Sequence, residues 1–113
     1  MAMSDYSPNR WMVVSITHNT KTHYRVFGTW GGGYLNGDSW KLNSGITKAT
    51  LEDGVYQFEG RSGSVSHCRE NSYGSTGYGW GVLNSMIEQS AENGTLIQIL
   101  EEDTNFLELN YGD

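Results

Sequence analysis

Apolar and polar residues alternate with a period of two through most of the chain, then switch to helical spacing near position 80. Over residues 10–16, Trp11, Val13 and Ser15 fall on one face and Met12, Val14 and Ile16 on the other. That pattern predicts a strand buried on at least one side. Residues 17–22 are polar and turn-like. Residues 23–30 alternate again, with Tyr24, Val26 and Trp30 opposing Arg25, Phe27 and Thr29, so the two runs are expected to form an antiparallel hairpin. Asn36-Gly37 marks a second tight turn, of the kind that favours positive φ. Residues 39–46 read as a short strand with Trp40 and Leu42 on one face. Glu52-Asp53-Gly54 is another turn and opens a strand in which Tyr56 and Phe58 share a face. Residues 64–68 add a strand with Val65 and His67 opposing Ser66 and Cys68.

The period then changes. Leu83, Met86, Ile87, Ser90 and Ala91 recur at helical spacing, and Gly94 stands where a C-terminal helix cap belongs. Residues 95–100 and 105–109 predict two further strands around Glu101-Glu102-Asp103. The expected class is therefore α+β and β-dominant. One curved antiparallel sheet of about six or seven strands would carry one main amphipathic helix at about 80–93. Residues 1–9 are expected to be a flexible lead-in and 10–113 a single globular domain, consistent with 113 residues in all.

Composition narrows the function classes. Glycine fills 15 positions, nearly twice the ordinary share of about 7%. A formal charge of −6 argues against duplex nucleic acid as a partner, because backbone binding needs concentrated positive charge. No apolar run approaches the roughly 18 residues of a membrane span, and no signal-peptide core is evident. A cytoplasmic protein is expected. Cys68 is the only cysteine, and the three histidines show no HxH or HxxxH spacing, so neither a disulfide framework, a metal site nor a cofactor is expected. Cys68 reads as a small buried hydrophobe; His67 is its chain neighbour and would point to the opposite face.

Two segments carry candidate binding chemistry. The first is Tyr73-Gly74-Ser75-Thr76-Gly77-Tyr78-Gly79-Trp80-Gly81, which leads into the expected helix. Glycines admit close backbone approach, a helix N-terminus offers unpaired N–H groups, and Ser75, Thr76, Tyr73 and Tyr78 add hydroxyls and rings. The phosphate-loop motif GxxxxGK[ST] is absent, and a loop that packs its aromatics on the sheet is the alternative. The second is Gly60-Arg61-Ser62-Gly63-Ser64, where an arginine among serines suits a phosphate or carboxylate, or is a solvated turn. The two are expected to converge on one concave surface of Arg61, Ser62, Ser64, Tyr73, Ser75, Thr76 and Tyr78, with Trp30 or Tyr34 as an aromatic wall. Four tryptophans, seven tyrosines and three phenylalanines in so short a chain also predict exposed rings, or rings at the interface of a homo-oligomer.

The stretch from Tyr34-Leu35-Asn36-Gly37-Asp38-Ser39-Trp40 through Lys41-Leu42-Asn43-Ser44-Gly45-Ile46, with Gly63-Ser64-Val65 and Tyr73-Gly74 downstream, resembles small proteins of T4-like phages that infect cyanobacteria. The resemblance covers roughly the middle half of the chain and rests on no catalytic motif. It carries over no functional residue. It implies a viral accessory protein made in a host cytoplasm, of a kind that binds something belonging to the host.

Three function classes follow. One is a non-enzymatic protein that binds or sequesters a small anionic, nucleotide-like host molecule. Another is a protein–protein module acting on a basic host protein. All seven Lys/Arg lie between Arg10 and Arg69, whereas residues 88–113 hold seven acids and no base. The third is a small enzyme, which the sequence favours least because no acid–base or nucleophile constellation stands out and no catalytic residue is assigned.

Overall fold

The computed structural model describes residues 5–33 and 37–111. It contains β1 (Asp5–Tyr6), β2 (Arg10–His18), β3 (Lys21–Gly33), β4 (Gly37–Leu42), β5 (Ile46–Glu52), β6 (Val55–Gly60), β7 (Val65–Arg69), a 3-10 turn (Glu70–Ser72), α1 (Gly77–Glu92) and β8 (Thr95–Ile99). The β-dominant class with one main helix holds. The strands are divided between two four-stranded sheets, ordered β1-β7-β6-β5 and β4-β3-β2-β8. All neighbours are antiparallel except β1 and β7.

The double alternation in β2 explains the layering. Trp11 and Val13 point between the sheets, where they meet Val26, Ile46, Phe58, Cys68 and Phe106. Met12 and Val14 point the other way, against Phe27, Ile97 and Leu83 of α1. The central strand is thus buried on both faces, with α1 lying outside the second sheet near β8 and β4. Trp11 is the hub. Its ring lies 4.8–5.5 Å from those of Tyr56, Phe58, Tyr73 and Phe106, and its Nε1 donates to Arg69 O at 2.6 Å.

Several expectations shift in detail. The first hairpin is tighter than a residue 17–22 turn: pairing runs to His18↔Lys21, and Asn19 takes the left-handed conformation at φ 59°. The expected strand over 39–46 stops at Leu42. The chain swings at Gly45 (φ 118°), a conformation unsuited to other residues, and β5 starts in the opposite sheet. The helix begins at Gly77, three residues earlier than expected, because Thr76 caps it by accepting from Gly79 N at 3.1 Å. Gly94 does end the helix region with φ 79°.

Residues 105–109 are a correction. They form turns, with Leu107 N donating to Asn105 Oδ1 at 3.2 Å and Glu108 N to Asn105 O at 3.1 Å. Phe106 is inserted between the sheets while Leu107 is exposed. The inward residues Phe106 and Leu109 are three positions apart rather than two, and an Asx turn rather than a partner strand satisfies the backbone. Residues 5–9 of the expected lead-in also have fixed partners. Trp30 Nε1 donates to Ser7 O at 3.0 Å, Asn9 N to Thr29 O at 2.9 Å, and Pro8 packs over Gly28.

Candidate functional site

The turn between β6 and β7 is closed by Gly60 N donating to Ser64 O at 2.8 Å and by Gly63 N donating to Gly60 O at 3.0 Å. Arg61 projects from it and is tied to the other sheet's exit loop, its N donating to Gly45 O at 2.9 Å. A Cβ on Gly45 would stand 3.3 Å from Arg61 Nε, so the bare glycine lets the arginine stem lie flat on the backbone. Gly45 is itself fixed by buried Asn43, whose Oδ1 accepts from both Val26 N (2.9 Å) and Gly45 N (3.2 Å).

The guanidinium reaches across to β3. Arg61 Nη2 donates to His23 Nδ1 at 3.2 Å. A guanidinium has no lone pair to offer, so His23 Nδ1 is the accepting atom of this bond. Beside this pair lies a cleft of about 90 Å³ lined by Thr22, His23, Tyr24, Gly45, Ile46, Arg61, Asn110 and Tyr111. Its aromatic wall is Tyr24 edge-on to Tyr111, with ring centres 5.6 Å apart. The Tyr111 hydroxyl donates to Phe106 O at 2.5 Å, and burial pushes its pKa up, so it stays a neutral phenol. Among the described residues, no Asp or Glu lines the cleft and Arg61 forms no ion pair. The arrangement suits an anionic group in a small polar recess.

The structure does not bring the expected site residues onto one surface. Arg61, Ser62 and Ser64 share the β6–β7 turn. Ser44, Ser62 and Ser64 pass a hydroxyl chain along it, at 3.2 and 3.3 Å. Tyr73, Ser75 and Thr76 lie beyond the far end of β7, leading into α1, and Tyr78 is in the first turn of α1. Tyr73 is committed to the fold: its hydroxyl donates to Leu100 O at 2.6 Å and accepts from Val13 N at 3.2 Å. Burial pushes its pKa up to about 12. Thr76 is the helix cap, and Ser75 Oγ donates to Thr76 O at 2.9 Å. Tyr78 is exposed. Trp30 stacks obliquely near Tyr6, with centroids 5.8 Å apart, and binds the Ser7 carbonyl. Tyr34 lies outside the described residues.

His18 and His23 have separate partners, His18 Nδ1 meeting Thr95 Oγ1 at 2.9 Å. Cys68 is fully buried, and burial raises its pKa, so it is a poor nucleophile. His67 on the opposite face meets Asp5 at 3.4 Å. Among the described residues, no group of three His, Cys, Asp or Glu could hold a metal. No helix among them is long and apolar enough to cross a membrane.

Sequence reasoning passed over Thr22, His23, Tyr24, Asn110 and Tyr111 as cleft residues. No local signal marks them, because a hairpin, a turn and a C-terminal segment meet there only once the sheets stack. In comparison with known proteins, the chain matches no family model, no curated protein and no solved structure.

Proposed function

We propose that this is a non-enzymatic binding protein that takes a small anionic molecule by its charged group, in the cleft between Arg61 and His23. One observation carries the reading: a guanidinium held flat over Gly45, in a recess where, among the described residues, there is no carboxylate and Arg61 has no ion pair. Arginine matches the oxygens of phosphate and carboxylate groups, and such charge-assisted bonds are the strong ones. At about 90 Å³ the cleft is small, so it takes the charged end of a ligand while the remainder lies outside. The resemblance to phage proteins fits a host metabolite or signalling nucleotide as that ligand, sequestered in the host cytoplasm.

The test is a titration calorimetry and thermal-shift panel of small anions and nucleotides against wild type and Arg61→Ala. Arg61 is exposed, and its backbone bond to Gly45 survives the substitution, so the variant should fold. Loss of the guanidinium should weaken binding by about 1.5–3 kcal/mol, the scale of a hydrogen bond to a charged group. If no anion binds wild type, or Arg61→Ala binds equally well, the reading fails. The acidic helix and C-terminal segment, with Tyr78 and Trp80 exposed, would then lead as a protein-binding surface.

A further inference from the structure

We propose that the group seated in the Arg61–His23 cleft is a phosphoryl group, and that His23 takes up a proton when it binds. The inference rests on the anion-binding reading above and specifies its ligand and its pH response.

Geometry sets the proton count. In the unliganded protein Arg61 Nη2 donates to His23 Nδ1 at 3.2 Å, which requires a lone pair on that nitrogen. Protonating His23 would destroy this bond and place two cations in contact. The charged and titratable groups facing His23 offer no relief. Arg61 reaches it from the β6–β7 turn, Tyr24 and Tyr111 present phenols, and His18 and Lys21 border the hollow on its other side. Among the described residues, no carboxylate lines either hollow.

A bound dianion reverses that balance. Arg61 turns its donors to the anion, Nδ1 loses its donor, and a proton taken from solvent makes the imidazole a second donor to the same ligand. Histidine is the side chain suited to this exchange near neutral pH. Two positive charges then face a charge of −2. Donors also stand on two sides of the recess, Arg61 on the β6–β7 turn and protonated His23 on β3. A tetrahedral phosphoryl end directs oxygens to both sides at once, whereas a planar carboxylate offers two in one plane.

Sulfate is the first probe, since it stays a dianion across the accessible pH range and any proton that moves belongs to the protein. Calorimetry of the full chain at pH 7.5, in buffers of different ionisation enthalpy, counts protons taken up. Inorganic phosphate at pH 8 and acetate test the ligand class. Sulfate and phosphate should bind, with acetate at least about tenfold weaker. Sulfate binding should take up a fraction of a proton and tighten about three- to tenfold from pH 8 to pH 6. His23→Asn keeps a side-chain acceptor for Arg61; it should abolish the uptake and flatten the profile, with folding checked by circular dichroism. Proton uptake that is absent in wild type or persists in His23→Asn would overturn the inference, as would acetate binding as tightly as phosphate. In all three cases the anion-binding reading would remain standing. Failure of every anion to bind would overturn both.

Discussion

Replacing Tyr73 with phenylalanine should destabilise the fold by about 2–4 kcal/mol although it removes a single oxygen atom. The hydroxyl stands where the β2–β8 ladder ends. Leu100 N still donates to Val13 O at 2.9 Å, but the reciprocal bond is replaced by a relay in which Val13 N donates to the Tyr73 hydroxyl and that hydroxyl donates to Leu100 O. Val13 is fully buried. Phenylalanine preserves the ring against Trp11 and Phe106 while leaving both backbone groups without that partner. Each orphaned group costs about 1–3 kcal/mol, partly relieved where Leu100 is half-exposed. Urea denaturation followed by tryptophan fluorescence should show a lower midpoint and an unchanged slope. A loss under about 0.5 kcal/mol would refute the relay as a structural element. The same hydroxyl gives a pH signature. Its folded pKa, about 12, lies above the ordinary value of 10.0, so its contribution is complete below pH 10 and is lost as pH rises toward 12. Burial shifts Tyr6, Tyr56, Tyr111 and Cys68 in the same direction, so the native protein should unfold on the alkaline side, and Tyr73→Phe should make that loss shallower.

Four further substitutions or probes test the packing. Gly79→Ala should destabilise by about 1–3 kcal/mol in thermal melts, because the new Cβ would stand against Ser75 Oγ and 2.5 Å from Thr29 Cγ2. Gly81→Ala, two residues on and with nothing within 4 Å of a new Cβ, should stabilise by up to about 1 kcal/mol. Phe106→Ala should cost about 3–5 kcal/mol by emptying the space among Trp11, Tyr56, Phe58 and Tyr73. Cys68 should resist thiol alkylation in native protein at pH 7 and react fully in urea, as followed by mass spectrometry.

What the sequence disclosed was what its local periodicity encodes. The two-faced pattern of residues 10–16 correctly located the central strand, Asp53-Gly54 its turn at φ 53° and 76°, and Leu83 with Met86 and Ile87 the buried side of the helix. The division into two sheets was not legible, because it depends on a chain reversal at Gly45 whose consequence appears only in three dimensions. Phe106 and Leu109 mimic a strand, yet they stand three positions apart and fill a gap between layers. The candidate site divided along the same line. Arg61 was visible as an arginine in a glycine–serine turn, whereas His23 stands 38 positions away and Tyr111 still farther along the chain. Tyr73 and Thr76 carry hydroxyls that look available for a ligand and are spent on Leu100 O and on capping Gly79 N.

The Trp11 hub has a kinetic consequence. Its indole nitrogen binds a carbonyl 58 positions away, and its ring is closed over by Phe106, almost a full chain length distant. Contacts of such separation reward the chain only after large loops have closed, so folding should run on a millisecond-to-second scale, as in other sandwich topologies. During synthesis, a nascent chain cannot seal Trp11 until residue 106 has left the ribosome. Before that moment the central strand presents two apolar faces to whatever chaperone surrounds it.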